Sequence, residues 1–417
     1  MLSNPKGFDD KDPSDSIRYY EAIETVRKVY ERFGFYPLYT PAVEYKDVLS
    51  AKVYGEENQK ERFDIEGEDF SLRYDLTVPM ARYVAMRKDI KLPFKRYQIA
   101  QVWRKEEPQL LRTREFTQAD VDIVGSESTY AELECMFASL IALEELGIEE
   151  YKILINSRQI ATSLLDSFGV EKSLQVQSLR IIDKASKIGE SAAVEQMNAL
   201  LKDAKKAEEI IDFIFRPEEE KLEKVSAKIG NPKDAEKVRW VIDKLNDLGI
   251  NGEALFDPSL VRGLDYYTGI VWEFKYYKEK GPLPSIGGGG RYDNLIGTLS
   301  GRKIPAVGSS LGIDRILGLN RENGKKTLSK VFVAYIEGSE EYAYSIAKKM
   351  REAGINVDFA LKSQSISKHL DYANWLGIDY VVIVGEKEEK EGKITLRDMK
   401  KGSEELLGIN EAIELLG

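Results

Sequence analysis

Trp103-Arg104-Lys105-Glu106-Glu107-Pro108 and Glu115-Phe116-Thr117-Gln118-Ala119-Asp120-Val121-Asp122 flank a short connection that carries Arg112 and Arg114, and their reading decides the fold. Phe94 to Trp103 reads as one strand and Glu115 to Val124 as a second, a hairpin with Arg104 and Arg114 near its mouth. Side chains alternate across a strand, so Gln118, Asp120 and Asp122 share one face while Ala119, Val121 and Ile123 share the other. The apolar face can pack on a core. The polar face needs water or a ligand, and a solvated sheet face is the simplest reading of that strand alone. The arginines turn the reading toward phosphate, because guanidinium forks hold phosphate bidentately and stay charged.

Two further stretches stand out: Arg262-Gly263-Leu264-Asp265-Tyr266-Tyr267-Thr268-Gly269 and Gly287-Gly288-Gly289-Gly290-Arg291-Tyr292-Asp293. The first sets a cation, a carboxylate and two phenols beside glycines. The second lets backbone come close to a ligand or a neighbouring chain segment. By composition the pair makes either a ligand site or two well-packed turns.

A chain of 417 residues exceeds one ordinary core, so two or three domains are expected. Hydrophobic content of 42% with 32% charged residues fits a soluble globular protein with no membrane span. The start, Met1-Leu2-Ser3-Asn4-Pro5-Lys6, lacks a signal peptide's apolar core. Cys135 is the only cysteine, which excludes an internal disulfide and a thiolate metal cluster, and points to the cytoplasm. His369 is the only histidine, which excludes a two-histidine metal motif. It lies far in sequence from the glycine-rich segments and is expected at the surface or in helix packing. The net charge of −10 argues against nonspecific nucleic-acid binding and leaves room only for a shape-specific RNA partner.

Ser14 to Phe33 reads as an amphipathic helix, with Ser14 or Asp15 at its cap and Gly34 at its end. Pro37 and Pro41 force an extended passage before Glu44. Residues 160–250 carry Ala, Leu, Lys, Glu and Ile at helical spacing and read as a helical insertion, the alternative being a helical layer of the same domain. Gly318 to Lys330 reads as a linker. Strands are then expected at 331–336, 355–361, 380–384 and 394–398, with helices at 340–353, 366–376 and 411–416, an α/β domain with a mixed sheet.

These segments carry a resemblance. Arg104-x-Glu106, a loop, and Arg114 before Phe116 resemble motif 2 of class II aminoacyl-tRNA synthetases. Pro37 to Glu44 resembles their proline-bearing motif 1, which builds a dimer interface, and Gly308-Ser309-Ser310-Leu311-Gly312-Ile313-Asp314-Arg315 resembles motif 3. The Arg262 and Gly287 segments resemble the signatures of the histidyl-tRNA synthetase family within that class. The resemblance covers essentially the whole chain.

It implies an α+β fold: an antiparallel-sheet catalytic domain over 1–325 with a helical insertion at about 160–250, and an anticodon-binding α/β domain over 328–417. The implied activity is ATP-dependent activation of L-histidine and its transfer to tRNA(His), with ATP as substrate, Mg2+ beside it, and a homodimer as the assembly. The resemblance places Asp75, Thr77 and Gln118 on the α-amino group, and Asp122 and Tyr267, with Tyr266 beside it, on the imidazole. It places Arg104 and Arg262 on the α-phosphate as the catalytic arginines, Arg315 on the terminal phosphates, and Glu106 and Arg112 on the nucleotide. The family often has glutamate where Asp75 and Asp122 stand, so here the backbone must sit one methylene closer. The alternative reading is a non-catalytic relative that regulates histidine biosynthesis. Relatives of that kind typically lack the C-terminal domain and erode the arginines; this chain keeps both.

Overall fold

The computed structural model describes residues 2–50, 59–109, 111–216, 221–230, 232–261, 266–278, 281–319 and 324–417. Helix α1 (Pro13–Arg32) leads to strands β1 (Tyr36–Pro37), β2 (Val43–Tyr45) and β3 (Phe70–Leu72), then α2 (Thr77–Met86). The expected hairpin follows as β4 (Phe94–Trp103) and β5 (Glu115–Val124). After α3 (Tyr130–Glu145) and β6 (Tyr151–Ser157) come α4 (Arg158–Ser167), α5 (Lys172–Ile188), α6 (Glu190–Leu201), α7 (Ala204–Phe215), α8 (Lys221–Ile229) and α9 (Pro232–Asp247). Strands β7 (Glu253–Phe256), β8 (Ile270–Lys278) and β9 (Gly281–Arg291), helix α10 (Leu295–Ser300), β10 (Ala306–Gly312) and α11 (Ile313–Leu319) complete this part.

The N-terminal cap of α1 is Asp12, not Ser14 or Asp15. Its carboxylate accepts from the Asp15 N–H at 2.9 Å and the Ser14 hydroxyl at 2.8 Å. Pro13 then takes the first helical position, where its missing N–H costs nothing.

An eight-stranded sheet runs β1-β4-β5-β10-β9-β8-β6-β7, antiparallel except for the two edge pairs β1/β4 and β6/β7. Its middle is thin because glycine is needed there. A Cβ on Gly289 would lie 2.0 Å from the Gly308 carbonyl oxygen and 2.7 Å from the Trp272 ring. On Gly287 it would meet the Ser310 carbonyl oxygen at 2.6 Å. Trp272 and Phe274 fill that space from the back and are fully buried. Helix α3 covers the same back face. It is apolar nearly all round, with Leu133, Cys135, Met136, Leu140 and Leu143 buried, as a helix sandwiched in a core must be. Ser139 bonds the Ser309 hydroxyl at 2.8 Å. Each such fully buried Leu or Met contributes roughly 1.5–3 kcal/mol.

Helices α4 to α9 intervene between β6 and β7, which nevertheless pair side by side. Ala161, Leu164, Ile182, Met197, Ile210 and Ile214 give them a core of their own.

The C-terminal part comprises β11 (Val331–Tyr335), α12 (Glu340–Glu352), β12 (Val357–Phe359), α13 (Ile366–Leu376), β13 (Tyr380–Val384), α14 (Glu386–Glu391), β14 (Lys393–Asp398), β15 (Glu404–Gly408) and α15 (Ile409–Leu416). Its sheet runs β12-β11-β13-β14-β15, parallel over the first three strands and antiparallel beyond. Val331, Val333, Val381 and Val382 sit at its centre, fully buried, as two-sided coverage of parallel strands demands. The reading of the sequence passes over α14 and β15, whose Glu- and Lys-rich segments offer no apolar period.

The chain divides into two compact units, one of residues 1–9 and 22–321 and one of residues 10–21 and 322–417. The first half of α1 thus belongs with the C-terminal unit, where Glu21 pairs with Lys325 at 3.2 Å. The expected linker starts later than Gly318, which is still inside α11. A Cβ there would press on Leu111 at 2.3 Å, so glycine serves close packing rather than a break. His369 is a packing residue of the C-terminal unit, 1% exposed, with Phe332 and Tyr335 at ring distances of 5.7 and 6.2 Å.

Candidate active site

The front face of the eight-stranded sheet carries the expected polar row. Cross-strand registry puts Arg96, Asp122, Gly308 and Gly290 on one rung, and Gln98, Asp120, Ser310 and Gly288 on the next. Directly opposite residues point to the same face. The glycines leave room for their neighbours: a Cβ on Gly308 would land 2.0 Å from Asp122 Oδ1, and one on Gly290 2.7 Å from the Tyr267 ring.

Asp122 is 1% exposed and held from two sides. Arg96, itself fully buried, brings Nη2 within 2.5 Å of Asp122 Oδ2 and donates from the same nitrogen to the Leu76 carbonyl at 3.0 Å. The Tyr292 hydroxyl donates to Asp122 Oδ1. Burial, then the neighbouring Asp122, pushes the Tyr292 phenol far up, so it stays a donor. Burial also raises Asp122, against the pull of Arg96 and Tyr292. Asp120 is pushed up to about 7, by burial first and also by Asp122, with Arg96 and the Ser310 hydroxyl opposing. Asp75 acts electrostatically on both carboxyls, so the structure brings three acids together. Asp75 Oδ1 accepts from the Val78 N–H at 2.9 Å, fixing the start of α2, which Thr77 opens.

Gln118 donates from Nε2 to the Ser310 hydroxyl oxygen at 2.9 Å. Gln118 Oε1, Gln98 Nε2, Asp120 Oδ1 and Arg96 Nε and Nη1 are buried without a hydrogen-bond partner among the described residues. Buried polar atoms are normally satisfied. Such a concentration on one face marks a place for a polar guest. Tyr266 and Tyr267 wall it, their rings 4.9 Å apart, with Tyr292 5.7 Å from Tyr266.

A cationic end adjoins it. The Arg104 guanidinium lies over Tyr74 at 4.3 Å and Phe116 at 5.0 Å, and its Nε donates to the Tyr74 carbonyl at 3.2 Å. Arg112 pairs with Glu106 at 2.7 Å, while Arg104 stands 3.9 Å from the same carboxylate. Arg315 donates to the carbonyls of Leu111, at 3.3 Å, and Ser285. Burial, then the charges of Arg112 and Arg104, lowers the Arg315 guanidinium. Three guanidinium groups that repel each other around Glu106 form a site for an anion of more than one charge. Leu111 adopts φ +61°, a strain of about 1–2 kcal/mol for a residue with a Cβ, and its carbonyl meets Arg315 there.

The sequence-derived residues Asp75, Gln118, Asp122 and Tyr267 fall in the polar pocket, and Arg104, Glu106, Arg112 and Arg315 in the cationic end. Arg262 lies outside the described residues. Arg96, Asp120, Tyr292 and Ser310 were not assigned from sequence. The register of the hairpin would have found Arg96: it and Asp122 lie seven residues from the strand ends Trp103 and Glu115.

Residues 7–316 match the family model "Histidyl-tRNA synthetase", and residues 330–417 match "Anticodon binding domain". A histidine–tRNA ligase of Nanoarchaeum equitans is 39% identical over 95% of each chain. One of Aeropyrum pernix is 37% identical over 98% of this chain and 96% of its own. The crystal structure of histidyl-tRNA synthetase from Nostoc sp. PCC 7120 superposes with a TM-score of 0.84 at 29% identity, covering 100% of this chain and 99% of that one. The chain belongs to the histidyl-tRNA synthetase family.

Proposed function

We propose that the polar pocket receives L-histidine and the cationic end receives ATP, in a histidine–tRNA ligase reaction of two steps. The observation that carries this reading is the buried row of Gln118, Asp120 and Asp122 with its unsatisfied atoms, lying beside three converging arginines.

Asp75, Thr77 and the Gln118 carbonyl take the α-ammonium. Asp122 and Tyr267 take the two imidazole nitrogens, an acceptor and a phenol that suit one donor and one acceptor on the ring. A buried site of this kind rejects side chains that leave those groups unpaired. The histidine carboxylate then attacks the ATP α-phosphorus, and pyrophosphate leaves. The carboxylate is already a nucleophile, so no side-chain base is required. Arg104 and Arg262 stabilise the charge that grows on the α-phosphate, while Arg315, Arg112 and Glu106 hold the rest of the nucleotide. The terminal ribose hydroxyl of tRNA(His) then attacks the adenylate.

Mg2+ accompanies ATP. Glu61 and Glu106, neighbouring carboxyls beside Arg104, would be its oxygen donors. The ion would neutralise charge on the phosphates. The C-terminal domain, with 328 as its proposed start and 325 as the end of the catalytic domain, reads the anticodon. Single-stranded bases are recognised by stacking and edge contacts, which reconciles an RNA partner with the acidic net charge.

A homodimer in the cytoplasm completes the reading. Tyr36, Tyr39 and Tyr45 are 68%, 83% and 57% exposed around the motif 1 stretch, an aromatic surface suited to a second copy. No described helix is long and apolar enough to cross a membrane.

Pyrophosphate exchange into ATP with each amino acid in turn tests the activity. Exchange with histidine alone is expected. Exchange with another amino acid, or with none, would end this reading. Sedimentation at micromolar concentration tests the dimer, and a monomer would remove it.

A further inference from the structure

We infer that the turn at residues 5–8 is a clasp that sets the β4–β5 connection in place for ATP, with Gly7 as its positioning residue. This rests on the assignment of Arg104, Glu106 and Arg112 to the nucleotide. The Phe8 N–H donates to the Pro5 carbonyl at 3.0 Å, and Gly7, third in that turn, takes φ +86°. A positive φ at the third position is where such a turn needs glycine. The Gly7 carbonyl accepts from the Arg114 N–H at 2.8 Å, and the Arg114 carbonyl accepts from the Arg104 N–H at 2.8 Å, so the turn is bonded to the mouth of the hairpin. A Cβ on Gly7 would lie 2.8 Å from Pro108 Cγ and 2.8 Å from Arg114 Cγ, so the turn rests against both limbs of the connection. Arg114 carries the hold further, because its Nε donates to the Glu106 carbonyl at 3.1 Å. The Phe8 ring stands edge-on to Phe63 at 5.9 Å, and the Lys105 ammonium lies over Phe63 at 5.6 Å.

The clasp acts on some of the nucleotide residues and not on others. Arg104 is held separately, by the Tyr74 carbonyl and by two ring faces, so it keeps its place when the clasp opens. Glu106 and Arg112 pair with each other at 2.7 Å, and the Arg112 backbone bonds Gln109 in both directions, inside the same connection. These two move with the connection. Loosening the turn therefore weakens the hold on bound ATP and leaves the arginine at the α-phosphate and the amino-acid pocket as they are. Lys6 also pairs with Glu107, but the two side chains are 68% and 66% exposed, and such a pair contributes little.

The test is histidine-dependent pyrophosphate exchange by the full-length protein, with KM measured separately for ATP and for histidine. In Gly7→Val the new side chain strains the turn and must displace Pro108 or Arg114. KM for ATP is expected to rise about tenfold while kcat and KM for histidine stay within about twofold, the pattern of lost ground-state binding to one substrate. Phe8→Ala keeps the turn and removes the ring contact. The same split is expected there at about fivefold, the scale of one aromatic pair, and it decides the matter if Gly7→Val does not fold. Equal rises in the two KM values would mean a merely structural role and would overturn the inference, as would no change in either variant. Lys6→Ala, which removes the exposed ion pair and leaves the turn, is expected to stay within about twofold of wild type. A loss there as large as that of Gly7→Val would put the effect in charge rather than in the turn, and would also overturn it. Arg112→Ala separates the inference from the reading beneath it. If Arg112→Ala raises KM for ATP and the two turn variants do not, only the clasp falls. If Arg112→Ala leaves KM for ATP unchanged, the assignment of the nucleotide to the cationic end itself falls.

Discussion

The eight-stranded sheet hides Arg96, Asp120 and Asp122 side by side, whereas the five-stranded sheet hides valines and one imidazole packed on aromatic rings. Both are cores, yet they follow different rules. In the C-terminal sheet nearly every buried side chain is apolar, and the buried polar atoms without a partner there among the described residues, His369 Nε2 and Arg397 Nε, lie apart from each other rather than in one row. In the catalytic sheet charges are buried next to atoms that lack partners. A buried ion pair seldom repays its desolvation, and a well-packed apolar replacement would often be as stable. The polar face is therefore retained for what it binds, and its strained and glycine-dependent neighbours, Leu111 and Gly308, lie beside it. Mutations should separate the two regimes: changes at the catalytic sheet should act on rate and affinity, with a stability cost added where a buried pair is broken, and changes at the C-terminal sheet on stability alone.

The largest effect is expected from the arginines. Arg104→Ala and Arg262→Ala should each lower kcat for histidine-dependent pyrophosphate exchange about a hundredfold or more, the worth of one charged contact in a water-excluded site. Thermal unfolding of Arg104→Ala should move far less than its rate, because Arg104 spends its contacts on one carbonyl, two ring faces and a Glu106 carboxylate 3.9 Å away that Arg112 also holds. An unchanged kcat with a raised KM for histidine would show that the role is misassigned.

Gly308→Ala comes next. The new methyl would fall 2.0 Å from Asp122 Oδ1 and 2.9 Å from the Val121 carbonyl oxygen. The backbone cannot yield, so Asp122 must leave Arg96 and Tyr292. Overpacking of this kind costs roughly 1–3 kcal/mol, and breaking a buried pair roughly 3–5 kcal/mol. KM for histidine should rise at least about tenfold while KM for ATP changes little, the scale of one lost hydrogen bond between Asp122 and the substrate. Equal changes in both would place Asp122 outside the amino-acid pocket.

The same contrast explains what the sequence could disclose. Strands β4 and β5 were legible to the residue, because alternation and the flanking turn agree. Their polar face followed from parity alone. The C-terminal alternation of strands and helices was legible because Val and Ile runs mark two-sided burial. What stayed hidden depends on pairing between distant segments. Tyr292 reaches Asp122 only because β9 and β5 flank β10, and Ser310 meets Gln118 only through the β10 register. The cap at Asp12 was missed because Pro13 obscures the start of the periodic run. The inclusion of residues 10–21 in the C-terminal unit has no local signal, since a single uninterrupted helix carries both halves.

The smallest effect concerns His369, and it tests whether the C-terminal sheet is only a packed core. Burial lowers the pKa of this imidazole, so it is held neutral between Phe332 and Tyr335. An unfolded chain would protonate it near its ordinary value of about 6.5. Below that pH the unfolded state binds a proton that the folded state refuses, so stability falls as pH drops from about 6.5 toward the lower folded value. Above about 7.5 both states are neutral and the term vanishes. His369→Phe keeps an aromatic ring in the aromatic cluster and removes the proton site. Between pH 8 and 5.5, unfolding of the C-terminal unit should lose more in the wild type than in this variant, by on the order of a few °C. Acidic side chains titrate in both proteins and cancel in the difference. Histidine-dependent pyrophosphate exchange should be the same for both at pH 8, because the imidazole sits on α13, packed against the sheet that carries no chemistry. Identical pH slopes would mean that His369 is already protonated or solvated in the folded unit. A loss of exchange activity would break the comparison itself, since the C-terminal core would then be taking part in activation.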